Sequence, residues 1–213
     1  MAQDPGKAPD EAGGVRERIL KTASALFYQE GTRAIGVDLI VARAAVAKTT
    51  LYRYFRTKDE LIEAFLQGED ADFWQHWDSV SAAHAGRPED ELDAQLKWLG
   101  DRVARENYRG CPQINVAAEY SDENHPARKV AVAHKAELRR RLGALARAMM
   151  LAEPDRFALQ MAVVIDGALS SGRALHQEGP AQFLQATART LKEAARGAVT
   201  RSRRAPSPPA PRR

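Results

Sequence analysis

The sequence predicts an all-α protein of about nine helices, long enough for one large domain or a small one joined to a larger one. Three observations carry this. Apolar residues recur at three- and four-residue steps along most of the 213 residues. The strict alternation expected of half-buried strands is almost absent. Proline and glycine fall between the periodic segments and divide them into helix-sized pieces.

Taken in order, Ile19, Ala23, Leu26 and Phe27 form a helical stripe that follows Gly13-Gly14 and ends at Gly31, a residue suited to a C-terminal cap. Val37, Ile40, Val41 and Ala44 mark a second, short helix, and Leu51 with Phe55 marks a third. Thr57-Lys58-Asp59-Glu60 is a capping box, with a threonine at the cap and a glutamate three residues later. It opens a long fourth helix that carries Ile62, Leu66, Phe73, Trp77 and Val80 on one side. The fifth helix follows Pro88, with Leu92, Leu96, Leu99 and Val103 in register. A loop around Arg109-Gly110-Cys111-Pro112 leads into a short apolar segment from Ile114 to Ala118. Pro126 opens a stripe of Val130, His134, Leu138, Leu142, Leu145 and Met149. Pro154 opens a helix rich in small residues (Gly167, Ala168, Ser170, Ser171, Gly172), and Pro180 opens the last, with Leu184, Ala188, Leu191 and Ala195. Residues 1–14 and the basic, proline-rich tail at 200–213 have nothing to bury and are expected to be disordered.

Composition narrows the function classes. Apolar residues make up 44% and charged residues 28%, which fits a soluble domain with a sizeable core. No run approaches the roughly 18 apolar residues of a membrane span, so no membrane partner is expected. The N-terminus MAQDPGKAPDEAGG is polar and carries acids, unlike a signal or transit peptide. A single cysteine, Cys111, allows no internal disulfide and fits a reducing cytoplasm. The five histidines show no metal-ligand spacing with one another or with Cys111, and no cofactor is expected. No G-x-S-x-G, H-E-x-x-H or Cys–His constellation stands out, so the chain does not read as an enzyme. Charge is unevenly placed: net +2 over residues 1–60, −3 over 61–200 and +5 from Arg201 on. Residues 39–58 contain Arg43, Lys48, Arg53, Arg56 and Lys58 and no carboxylate. A local cationic patch on a weakly acidic body is suited to meet an anion at one place.

That patch centres on AAVAKTTLYRYFRTKDE, residues 44–60. Lys48-Thr49-Thr50 looks like the end of a phosphate-binding loop, but the two required glycine positions hold Ala42 and Ala47, and the preceding segment is helical. A buried core helix is also excluded, because only Leu51 and Phe55 face inward among polar and aromatic neighbours. Seven residues are too few for an isolated helix, so the helix at 37–44 must brace it. Two short helices joined by a tight turn describe a helix-turn-helix, in which the second helix presents its outer face to a major groove.

From Val15 to Phe65 the residues resemble the DNA-binding region of TetR-family transcriptional repressors. The resemblance lies in V-R-E-R-I-L-K-T-A-S-A-L-F-Y-Q-E-G, then I-V-A-R-A-A-V-A-K-T-T-L-Y-R-Y-F, then T-K-D-E-L-I. It covers about fifty residues; the remainder matches only in general plan. Three positions depart from the family pattern. The turn glycine is Ala45, the serine before the recognition helix is Ala47, and the second helix starts Gly36-Val37-Asp38 without Thr or Ser.

The resemblance implies a DNA-binding domain at 15–60 and a ligand-binding and dimerisation domain at 61–199. It implies a homodimer on a palindromic double-stranded DNA operator, released by a small-molecule effector, in a bacterial cytoplasm, with repression as the family default. By carry-over, Lys48, Thr49 and Tyr52 are candidates for base readout, and Thr50, Tyr54 and Lys58 for phosphate contact. Arg53 fits either role, whereas Arg43 reads as a solvated charge on the brace helix. The last two long helices are the expected dimer surface, where Gly167, Ala168, Ser171 and Gly172 either admit a partner helix or pack within the subunit. Trp74, Trp77, Trp98, Phe65, Tyr108 and Tyr120 either line an apolar cavity among helices four to seven or belong to the core. His134 lies on an apolar stripe, as a hydrogen-bonded core histidine or as a ligand contact. Asp166 belongs to the pocket, the dimer or the solvent, and if buried it needs a partner such as Arg173. The basic tail either adds attraction to DNA or is inert.

Overall fold

The computed structural model describes residues 9–175 and 177–203. Among these residues there is no strand, and the helices are α1 (Pro9–Glu30), α2 (Val37–Ala44), α3 (Lys48–Tyr54), α4 (Lys58–Ala83), α5 (Pro88–Val103), α6 (Pro112–Glu119), α7 (Pro126–Ala148), α8 (Pro154–Ser170), the single turn α9 (Gly172–Leu175) and α10 (Pro180–Arg203). Six of them begin on proline, at 9, 88, 112, 126, 154 and 180. There the missing N–H is no loss and the fixed φ is already helical. Helix α1 starts six residues before Val15, and α10 reaches Arg203. The expected disorder at residues 1–8 and 204–213 lies outside the described residues.

The described residues divide into two compact units, those up to His76 with Arg109–His134, and Trp77–Tyr108 with those from Lys135 on. The division falls inside the continuous helices α4 and α7. Residue 60 marks no break in packing, because Leu61 and Ile62 are both fully buried.

In the first unit, Ile19, Ala23 and Phe27 of α1 pack with Ile35, Ile40, Leu51, Phe55, Ile62, Phe65 and Leu66, and with Val116 of α6. Helix α1 ends where the Gly31 amide donates to the Phe27 carbonyl at 3.0 Å, with Gly31 at φ +88°, a conformation that glycine adopts without strain. Glu119, the last residue of α6, accepts from the backbone N–H groups of Thr32 (3.2 Å) and Arg33 (2.8 Å) and from the Thr32 hydroxyl (2.5 Å). One carboxylate thus pins the turn between α1 and α2, and a charged acceptor makes these stronger than neutral hydrogen bonds.

The turn between α2 and α3 is closed by the Val46 amide donating to the Val41 carbonyl at 3.1 Å. Its αL position is filled by Ala45, at φ 52° and ψ 52°. The left-handed conformation costs a Cβ-bearing residue roughly 1–2 kcal/mol, while glycine loses about 0.4–1 kcal/mol more chain entropy on folding. Ala45→Gly is therefore expected to stabilise the fold by about 0.5–1 kcal/mol, read as a higher urea midpoint at unchanged slope.

In the second unit, Gly100 of α5 lies so close to the backbone of Ala181 that a Cβ there would collide with it. Tyr108 donates to the Leu169 carbonyl at 3.0 Å, and its ring fills the space where Gly172 lacks a side chain. Of the small residues expected at a dimer surface, Ala168 and Gly172 are thus buried within the subunit, while Ser171 is exposed and Gly167 has open space beside it.

Candidate nucleic-acid interface

Helix α3 has seven residues and no side-chain cap, since Ala47 at its N-cap has nothing to offer. Backbone bonds alone do not hold so short a helix. Leu51 and Phe55, at 0% and 2% exposure, fasten its inner side, and Tyr54 and Val46 pack partly against the same core. Helix α2 supplies the brace through buried Ile40 and Ala44. The Arg18 guanidinium donates to the Ala44 carbonyl at 3.1 Å, which ties the end of α2 to α1.

With that side fixed, Lys48, Thr49, Tyr52 and Arg53 are exposed, Tyr52 by 42%. Thr50, Tyr54 and Lys58 are half-buried. The Arg53 guanidinium lies 5.0 Å from the Tyr54 ring centroid and donates to its hydroxyl at 3.3 Å. Arg43 is exposed. All seven sequence-derived DNA candidates therefore belong to α3 and the first residue of α4.

The capping box at the start of α4 forms with one difference. The Glu60 amide donates to the Thr57 hydroxyl at 3.1 Å, but the Glu60 carboxylate reaches the Arg56 amide at 2.7 Å, one residue before the cap. Lys58 stands in this first turn, and partial burial pushes its ammonium below the ordinary lysine range, against the pull of Asp59 and Glu119.

One charged group on this surface was not among the candidates. Asp38, in the first turn of α2, accepts a hydrogen bond from Lys48 at 2.7 Å. That bond, with the charge of Asp38, raises the Lys48 ammonium above its ordinary range. Asp38 lies one residue outside the carboxylate-free window of 39–58. Only the fold of the turn brings it back against the recognition helix.

The six effector candidates are divided between the two units. In the first unit, Asp70 accepts from the Trp74 indole at 2.8 Å and lies 2.7 Å from Nδ1 of buried His134. The Trp74 and His134 rings are 5.0 Å apart. Tyr120 stands with other partners, stacked on His125 at 3.9 Å and with its hydroxyl 3.1 Å from that of Thr32. In the second unit, Trp77 is almost fully buried at the edge of an open cleft of about 450 Å³ lined also by Ser81, Arg140, Arg141 and Leu145. Trp98 is half-buried. Asp166 is half-exposed and pairs with Lys135 at 2.5 Å, a partner thirty-one residues away that its own helix does not reveal. The side chain of Arg173, the partner expected from sequence, lies outside the described residues.

Comparison with known proteins agrees with this geometry. Residues 19–65 match the profile of the bacterial regulatory proteins of the tetR family. The chain is similar in structure to SCO4454, a TetR-family transcriptional regulator from Streptomyces coelicolor, with 25% identity over 86% of this chain and 96% of that one and a TM-score of 0.80. It is also similar to sav143 of Streptomyces avermitilis, a structure assigned to the TetR transcriptional regulators, with 31% identity over 85% and 97% of the two chains and a TM-score of 0.74. In sequence it is 26% identical to the HTH-type transcriptional repressor NemR of Escherichia coli over 108 residues, half of this chain and 54% of NemR. The matched region spans just over half the length of such curated relatives.

Proposed function

Because the chain belongs to the TetR family of bacterial regulatory proteins, we propose that it is a ligand-responsive transcriptional regulator, a repressor by default, that binds a palindromic operator as a homodimer and is released by a small-molecule effector. Members of this family regulate transcription and are not enzymes. The observation that carries the reading is the outer face of α3, where Lys48, Thr49, Tyr52 and Arg53 stand exposed on a helix fastened by Leu51 and Phe55. Lysine suits guanine O6 and N7, and the Thr49 methyl and the Tyr52 ring suit the thymine methyl. Thr50, Tyr54 and Lys58 are assigned to the phosphate backbone, which sets register without reading sequence. Arg53 serves either task.

One such helix reads too few base pairs for a specific affinity of about 10⁻⁸–10⁻¹¹ M. A second copy related by a two-fold axis doubles the contacts and makes the operator a palindrome. Support for α8 and α10 as the surface between copies comes from Leu159 and Val163, one turn apart on α8, and Phe183 on α10, which are 52%, 64% and 54% exposed. Leu159 and Val163, four residues apart, share one face of α8, and contiguous exposed apolar surface is a mark of association sites. The cleft beside Trp77 is the proposed effector site of the second unit, with a volume in the range of small-molecule pockets and two arginines at its wall. An effector that prefers a conformation with wrongly spaced recognition helices lowers operator affinity in proportion to that preference.

Selection of bound fragments from a random duplex library tests the reading. The expected product is an inverted repeat with half-sites about one helical turn apart, or a multiple of it. Recovery of no enriched duplex, or of single half-sites without symmetry, contradicts it.

A further inference from the structure

We propose that Asp38 and Lys48 act together as one reader of a G·C pair in each half-site, with the Lys48 ammonium donating to guanine O6 and N7 and the Asp38 carboxylate accepting from the N4 amino group of the paired cytosine. The inference rests on the DNA-binding reading above and specifies which base pair α2 and α3 jointly select.

Asp38 is the single acidic residue between Gly36 and Lys58. Its side chain is 82% exposed, it bonds Lys48 at 2.7 Å, and Lys48 itself is 53% exposed. Stability does not account for this arrangement. An exposed ion pair contributes about 0–1 kcal/mol, and an acid in the first turn of a helix adds at most about as much. The carboxylate also opposes the one task the rest of the surface is built for, because it repels a polyanion that Lys48, Arg53 and Lys58 attract.

An anion is tolerated at such a place where the ligand presents a hydrogen-bond donor next to acceptors. Phosphates present none, and the major-groove edges of base pairs do. A G·C pair offers two adjacent acceptors, guanine N7 and O6, followed by the cytosine N4 donor. A touching ammonium and carboxylate match that order, cation on the two acceptors and anion on the donor. In an A·T pair the adenine N6 donor lies between two acceptors, so the ammonium finds one acceptor on either side rather than two together. Lysine alone accepts guanine or the thymine O4. With the carboxylate on the adenine N6 donor, an A·T pair leaves the ammonium a single neighbouring acceptor where a G·C pair offers two, and that difference favours G·C. The sequence places the two residues ten apart, with the turn held by Ala45 between them, and the bonding distance sets them as a unit.

The test uses the full chain as parent, Asp38→Asn and Lys48→Ala. Each is carried through selection from random duplex DNA and titrated against the selected operator and its single-base-pair variants. At one position per half-site the parent is expected to prefer G·C. Asp38→Asn lowers that preference by about fivefold or more while binding arbitrary DNA more tightly, and Lys48→Ala loses preference at the same position. Uniformly tighter binding of Asp38→Asn, with the base pattern unaltered, makes Asp38 an electrostatic brake and overturns the proposal. So does a change at different positions in the two variants. A parent that retains no duplex at all overturns the DNA-binding reading itself, a result distinct from altered preference in a protein that binds.

Discussion

The double variant Tyr54→Phe, Lys58→Ala is expected to bind every DNA sequence more weakly than the parent, with an affinity that falls less steeply as salt is raised. Tyr54 is half-buried with its hydroxyl at the surface beside Arg53, and Lys58 occupies the first turn of α4. Both are assigned to phosphates, so neither carries base information. Removing a lysine–phosphate contact eliminates the release of about 0.9 counterion per site. In a dimer the contact occurs twice, so the slope of log affinity against log salt becomes shallower by about 2. A charge-assisted hydrogen bond and a neutral one lost in each protomer together weaken binding at low salt by on the order of 100-fold or more. Part-burial already depresses the Lys58 ammonium, and a phosphate placed against it reverses that shift, so the parent gains proton affinity at this site on binding. Fluorescence anisotropy at four salt concentrations, with an operator and a scrambled duplex, reads both effects. A variant weakened on the operator alone refutes the assignment of these residues to the backbone.

Leu159→Glu with Val163→Glu is expected to give a folded monomer whose operator affinity falls by about 10²–10⁴, the size of the advantage that linking two binding events confers. Both side chains are more than half exposed, so the substitutions cost little within one chain. In the apposed surfaces of a dimer the same carboxylates lose water and face their own copies, a like-charge contact without compensation. Light scattering reports the mass, circular dichroism the retained helix, and anisotropy the loss of affinity. A variant that stays dimeric places the surface between copies elsewhere.

The bounds of α2 and α3 are legible in the sequence because several local signals coincide there. Apolar spacing, the turn at Ala45 and the capping box at Thr57 each limit where a helix can run, and the family pattern agrees with all three. Prolines mark the starts of the later helices for a similarly local reason. What the sequence hides is contact across distance. Glu119 reaches Thr32 over 87 residues, Asp70 meets His134 over 64, and Lys135 meets Asp166 over 31. No periodicity encodes which carboxylate answers which donor. The effector candidates are the clearest case: aromatic residues can be nominated from a stripe, but their division between two units depends on where α4 and α7 are partitioned, and no proline or glycine marks that division. Asp38 is a subtler omission, since ten residues of sequence separate it from Lys48 and a left-handed alanine folds them together.

The bond set of Glu119 bears on how such proteins are recombined. A chimaera that joins the first sixty residues of this chain to the body of a relative leaves Thr32 and the Arg33 amide without their acceptor, and a buried hydroxyl must then find another. Grafts that carry α6 along with the head keep the turn intact. The transplantable piece of this molecule is discontinuous in sequence, and cutting it at the nearest loop discards the anchor that gives the reading head its pose.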